Sequence, residues 1–414
     1  MAPVQVWIDD HQLSSAPLLV GRLEASNSRG HQIVRFRYAD PWLSEAGPGF
    51  PIDPELPLGP GDYFPGADRS LHGAFRDTSP DRWGRRLMDR REREQAGCEG
   101  RRPRSLSEWD TLLGVQDASR LGALRFQDPD AKRWLDDRIP GIPPISRLRE
   151  LEAAAERLEA DANAELDREI ASLLQPGSSL GGARPKATFS DTDGTLWIAK
   201  FPSRDDRIDV GGAEFLLHEL ASACGIDVPP ARLLALGVRG RTYCVQRFDR
   251  QGSRRRMYWS AMTLLGRTDG EGSSYLEIAE ALQNHADVAF VERDLHQLYR
   301  RILFNILTGN RDDHLRNHGF LRAATGWTLA PAFDQNPELD RREHAIAIDA
   351  SDPRPLPANL RATADLYRLT SHQAARIESG LRATLSTWPT LARRLALPSN
   401  TLERLSTVVL PEGL

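Results

Sequence analysis

Alternation of apolar and polar positions predicts short strands at 3–8, 17–24 and 31–38, the last reading HQIVRFRY. A helix is expected near residue 80, with Ser79 as N-cap, Pro80 at the first helical position and Asp81 in the first turn. The proline-rich stretch from Arg138 to Ser146 reads as a linker. From about 147 to 174 the pattern is helical, with Leu151, Ala154, Ala155 and Leu158 on one side, and Pro176-Gly177 ends it.

The texture then changes. Residues 177–186 (GSSLGGARPK) form a glycine- and serine-rich loop, followed by strands at 187–190 and 195–200 around an Asp193-Gly194 turn. A helix from about 212 to 224 stops at Gly225, and strands near 231–236 and 242–248 flank an Arg239-Gly240 turn. Beyond about 255 the pattern is mostly helical, with strand signals around 320–350. There is no repeat of fixed period and no low-complexity tract.

A chain of 414 residues has room for two or three domains, and 40% hydrophobic with 27% charged residues is ordinary for a globular protein. The net charge of −4 argues against a surface devoted to nucleic acid. No basic patch followed by an apolar core opens the chain, and no apolar run approaches the ~20 residues that span a bilayer. Cys98, Cys224 and Cys244 are far apart without a CxxC pair, as expected of reduced thiols in a cytoplasmic protein. One bias is more informative. Of 54 basic residues only Lys132, Lys186 and Lys200 are lysines, and two of them fall in one short stretch. An ammonium is a compact point charge that a planar guanidinium cannot replace in a tight site.

Four elements carry candidate chemistry. In the loop 177–186, successive glycines let backbone N–H groups approach phosphate oxygens, with Lys186 at its end to neutralise them. It is not a Walker A motif, and alone it reads as a flexible linker. Lys200 ends the strand opposite, where kinases place a phosphate-binding lysine oriented by a helix glutamate, here Glu214. Alone, it reads as a strand-end lysine. Gly309-Asn310-Arg311-Asp312-Asp313-His314-Leu315-Arg316-Asn317 follows an apolar helix, and Asp312 with Asn317 reproduces the D-x₄-N spacing of a kinase catalytic loop. Asp334 follows 17 residues later, beside Phe333. A lone aspartate there would be a turn former. In series with Asp312 and Asn317 it reads as a metal ligand, its oxygens suited to Mg²⁺.

These segments resemble the HipA-type kinases. SSLGGARPK is similar to that family's SSVAGAQEK-like loop, IAKFP to its strand lysine, VQRFDR to its ERFDR segment, GNRDDHLRN to its GNxDxHxKN loop and PAFDQ to its PxYD motif. Upstream, FRDTSPDRWGRRL and GALRF resemble the family's N-terminal segments. The resemblance implies a protein-kinase-like, HipA-like fold. An α/β N-terminal region (a β-rich subdomain plus a kinase N-lobe-like part) would precede a mainly α-helical C-terminal kinase lobe. The expected division is 1–135, a HipA N-terminal-like subdomain; 136–254, linker helix and ATP-binding region; and 255–414, the helical catalytic lobe.

It also implies a Ser/Thr protein kinase using ATP and Mg²⁺. Asp312 would be base or positioning residue, His314 and Arg316 would support it, and Asn317 and Asp334 would hold the metal. ATP would meet Ser179, Gly181, Gly182, Lys186, Lys200 and Glu214, with Gln246, Arg247 and Phe248 as adenine hinge. Ser179, or its neighbour Ser178, would be the autophosphorylated serine. Implied partners are a protein substrate, possible members being aminoacyl-tRNA synthetases, and a HipB-like helix-turn-helix antitoxin bridging to DNA; no membrane is implied. Arg184-Pro185 departs from the family's Gln-Glu, Arg316 from lysine and Gln246 from glutamate, and Pro185 removes one backbone donor from the loop. A small-molecule kinase on a related fold, and a catalytically silent antitoxin-binding or operator-associated subunit, are the alternative readings.

Overall fold

In a computed structural model of the chain, the residues described are 2–28, 31–45, 47–66, 68–137, 141–161, 164, 166, 168–174 and 182–411. Two units emerge, Met1–Ala199 with Asp249–Gly266, and Lys200–Phe248 with Arg267–Leu414.

In the first unit, β1 (Val4–Ile8), β2 (Leu18–Ser28), β3 (His31–Tyr38), β4 (Leu124–Asp128) and β5 (Arg133–Trp134) form an antiparallel sheet ordered β3-β2-β1-β4-β5. Alternation in β1 turns Val4, Val6 and Ile8 inward, as a half-buried strand requires. The expected strands are present, and β2 runs on to Ser28 because β3 pairs with it throughout. Its end, Ser-Asn-Ser, carries no apolar alternation by which to be read.

The helix expected near 80 is Arg82–Cys98, two residues later than the cap at Ser79 implied. Ser79 spends its hydroxyl on the Phe75 carbonyl (3.1 Å), whereas Asp81 accepts the Gly84 N–H (2.8 Å) and is the true N-cap. The segment read as one helix over 147–174 is two, Leu148–Ala160 and Arg168–Leu173, since Asp161 turns to an extended conformation. Pro176-Gly177 lies outside the described residues.

The late segment Asp249–Gly266 is stitched into this unit by carboxylates. Asp10 accepts the Met257 N–H (2.6 Å), Asp77 accepts the Ser260 N–H and hydroxyl (both 2.7 Å), and Asp117 pairs with Arg255 (3.0 Å). Asp249 in turn accepts the Gly122 N–H at 2.7 Å.

In the second unit, Asp209 caps the helix Val210–Ala223, and Gly225, at φ +73°, ends its final turn. Strands Ala231–Leu234 and Thr242–Gln246 pair antiparallel. Helices Tyr275–His285, Val291–Thr308 and Ser371–Leu385 follow, with a hairpin of Gly319–Arg322 and Trp327–Leu329. Val291–Thr308 runs through the core, burying Leu295, Leu298, Ile302, Phe304 and Leu307. Among the described residues no helix is long and apolar enough to cross a membrane.

Gly309 caps that central helix at φ +70°, as its place in the sequence predicts. A Cβ there would lie 2.7 Å from the Val408 Cβ. Gly309→Ala is therefore expected to cost about 2 kcal/mol or more, the left-handed penalty plus overpacking. A urea midpoint equal to that of the parent protein would contradict this account.

Candidate active site

Lys200 stands at the end of strand Leu196–Lys200 with its side chain 9% exposed. Its ammonium donates to Asp334 Oδ1 at 2.6 Å and to Glu214 Oε1. Glu214 sits one turn into helix Val210–Ala223, which Asp209 anchors. Burial alone would push the Lys200 pKa down; the charges of Asp334 and Glu214 outweigh it and hold the ammonium protonated above the usual range. The Lys200 Nζ also lies 5.7 Å from the Tyr243 ring centroid.

Asp334 adopts φ +58°, a left-handed conformation that only a few non-glycine residues take and that clusters at functional sites. Asn336 Nδ2 donates to its Oδ1 at 3.0 Å. Next to it, Phe333 stacks on Phe248 with ring centroids 5.4 Å apart. This brings the expected hinge segment beside the loop that carries Asp334. Within that segment the Gln246 N–H is already given to the Pro230 carbonyl (2.9 Å), and Arg247 is buried.

The loop after Gly309 is organised by a residue that the spacing argument passed over. Asp313 is buried, and its Oδ2 accepts from Tyr275 Oη (2.6 Å), Asn305 Nδ2 (2.8 Å) and His318 Nε2 (2.8 Å). Burial pushes its pKa up, but His318 and the hydrogen bonds win and hold it below the usual carboxylate range. With Asp313 held inside, the adjoining Asp312 is 51% exposed. Burial pushes Asp312 upward, Arg341 opposes this from 2.8 Å, and the negative charges of Asp334 and Glu338 add to the rise. Asp312 and Asp334 are thus close enough to feel one another's charge.

The segment bearing Arg341 is fastened to the loop. Glu338 N–H donates to the Gly309 carbonyl (2.8 Å), Ala345 N–H to that of Arg311 (3.0 Å), and the Arg311 guanidinium to that of Arg341. Arg316 points to the surface and pairs with Asp269. Nδ1 of His314 and Oδ1 of Asn317 are buried without a hydrogen-bond partner among the described residues.

The fold therefore gathers Lys200, Glu214 and Asp334, with Asp312 within range of Asp334. Lys186 has a different setting. It is buried in the first unit, where its ammonium meets Asp81 at 2.8 Å and the Gly182 carbonyl at 3.4 Å. Gly182 takes φ +52°, whereas Ser178, Ser179 and Gly181 lie outside the described residues. Besides Asp313, sequence reasoning missed Arg341 and Asn336. Only the polar run Gln335-Asn336 after Asp334 hinted at the last.

The oxygen atoms on Asn317 and around Asp334 are of the kind a hard cation takes. Asn317 Oδ1 is a buried oxygen with no proton to accept, as are Gln335 Oε1 and Asn336 Oδ1 beside Asp334. Oxygens of this kind, with a carboxylate and no thiolate, suit Mg²⁺.

Comparison with known proteins bears on the fold and family. The family model of the HipA N-terminal domain matches residues 6–127, and that of the HipA-like C-terminal domain matches 178–401, over half of the chain. The chain belongs to the HipA family. A Haemophilus influenzae protein named as a candidate kinase is 25% identical over 183 residues, covering 39% of this chain and 52% of that one. The serine/threonine-protein kinase toxin HipA of Shewanella oneidensis is 26% identical over 190 residues, covering 39% and 43%. This chain thus spans about half the length of the curated relatives it matches. Among solved structures, the Shewanella oneidensis HipA, HipB and operator DNA complex contains a chain matched with TM-score 0.67 at 19% identity, covering 98% of this chain and 94% of that one. The fold is therefore HipA-like, as expected: an α/β N-terminal region and a mainly helical C-terminal lobe.

Asp313→Ala should cost about 3–5 kcal/mol, because His318, Tyr275 and Asn305 lose a shared buried partner. The sign of the pH effect follows from its lowered pKa. Asp313 contributes fully above the unfolded carboxylate pKa of about 3.9, and the contribution fades as pH falls through the folded value. Asp313→Asn should flatten the acid limb of stability below roughly pH 4. Urea midpoints measured across pH 3 to 7 test it, and parallel curves for parent and variant would refute the assignment.

Proposed function

We propose that this chain is a HipA-type serine/threonine protein kinase that transfers the γ-phosphate of ATP to a protein hydroxyl. The observation that carries the reading is the meeting of Lys200, Glu214 and Asp334, from three separate segments, with the field of Asp334 reaching Asp312. Phosphoryl transfer asks mainly for positioning and charge neutralisation, and this arrangement offers both.

In this reading Lys200 binds phosphate oxygens and Glu214 orients it. Asp312 accepts the proton of the acceptor hydroxyl as its oxygen bonds to phosphorus and the bond to ADP breaks. Asn317 and Asp334 would hold Mg²⁺, which when bound neutralises phosphate charge. Gln246, Arg247 and Phe248 would line the adenine site; for Gly181, Gly182 and Lys186 a role toward phosphate rests on the resemblance of their loop alone. His314 and Arg316 would steady the loop. The likeness to family members named as toxins supports a role in a toxin–antitoxin pair. A HipB-like antitoxin would link it to DNA, and an aminoacyl-tRNA synthetase is a candidate target. Autophosphorylation of Ser179 or Ser178 would add a charge of about −1.5 to −2 beside the triphosphate and repel it.

Label transfer from γ-labelled ATP should fall at least about 10²-fold in Asp312→Ala and in Asp334→Ala. Equal transfer by parent and variants would end the catalytic assignment. After incubation with ATP, peptide mass spectrometry should find phosphate on Ser179 or Ser178; active protein with both serines unmodified would remove autoregulation from the proposal.

A further inference from the structure

On the second unit, away from Lys200, helices Val210–Ala223, Val291–Thr308 and Ser371–Leu385 enclose an open groove of about 420 Å³. Its floor is apolar, with Leu369, Ile377 and Leu381 buried beneath it. Its rim is cationic: Arg300 and Arg376 line it, with His296 beside them. The guanidinium groups of both arginines have no hydrogen-bond or ion-pair partner among the described residues, although the Arg376 carbonyl accepts from Ser379 Oγ and the Arg300 charge is felt by Cys224. Arg361 and Arg382, by contrast, both pair with Glu378.

A second observation is independent of charge. Gly380 lies inside helix Ser371–Leu385 and lines the same groove. Glycine is a poor residue for a helix interior, so some other demand is expected there. The fold makes none: a Cβ on Gly380 would meet nothing within 4 Å, and its φ is not positive. A side chain at position 380 would therefore enter open space at the groove. Cys224 forms part of the wall, and burial pushes its thiol up to about 12, which makes it packing rather than a nucleophile.

We propose that this groove binds a small anionic amphiphile. Its phosphate or carboxylate head would meet Arg300 and Arg376, and its aliphatic body would cover Ile377, Leu381 and Leu369. The volume favours such a ligand over a protein helix. It falls in the range of about 300–1,000 Å³ typical of small-ligand sites. A stable protein partner would need roughly 800 Å² on each side. The proposal does not depend on the kinase reading.

The test is calorimetric titration of the full chain with octyl phosphate, octanoate and octyltrimethylammonium. One or both anions should bind saturably at one site with Kd below about 1 mM, the better of the two identifying the head group, and the cation should not bind. Gly380→Leu, which improves helix propensity while filling the groove, should weaken binding at least 10-fold without lowering the melting temperature. The double variant Arg300→Gln with Arg376→Gln should weaken it similarly, whereas Asp334→Ala should leave it unchanged. The proposal is overturned by the absence of saturable anion binding, as a protein occupant would give, by equal binding of the cation, or by unaltered affinity in Gly380→Leu.

Discussion

An ammonium removed from water must be given carboxylates, or it loses its proton or unfolds its surroundings. Lys200 is in that position, and the cost is met by residues 14 and 134 positions away in the chain. The helix carrying Glu214 and the turn carrying Asp334 are both constrained by this one charge. Two carboxylates around one ammonium also leave a negative charge in excess, so the cluster is electrostatically receptive to a further cation. The left-handed backbone at Asp334 is tolerable because that ion pair and Asn336 over-determine its side chain.

The adjacent acids of the loop show how a fold separates two identical side chains. Asp313 is enclosed with three donors and serves as the post to which the loop is tied. Asp312, one residue before it, is left at the surface, where Arg341 is its counter-ion. An exposed pair of this kind is worth only about 0.2–1 kcal/mol, so it is easily exchanged for another partner. A buried hub beside a loosely held carboxylate keeps the loop in place while leaving the second group free to change partners.

Much of this was legible in the chain itself. Strand alternation located β1 and β3, and Gly309 marked the end of the core helix. The spacing argument drew attention to Asp312, Asn317 and Asp334, of which the fold brings Asp334 onto Lys200 beside Glu214. What was not legible is long-range. Nothing local says that Ser79 will bond backward to Phe75 and yield the cap to Asp81. Nothing local says that Asp313 rather than Asp312 will meet Tyr275, His318 and Asn305, or that Arg341 will be delivered to Asp312 by hydrogen bonds on either side of it. Such assignments depend on which backbone groups remain unsatisfied after the elements pack, and that is a property of the assembled fold.

The return of Asp249–Gly266 to the first unit has a consequence for synthesis. A nascent chain emerging from the ribosome carries Asp10, Asp77 and Asp117 long before the amides, hydroxyl and guanidinium that satisfy them exist. Until residue 266 has been translated that unit stays unfinished, while Lys200–Phe248 has already emerged as a loop awaiting its own continuation. The first unit can therefore be completed only after the chain has passed through part of the second, and a cut between residues 199 and 200 would take Asp249–Gly266 away from it.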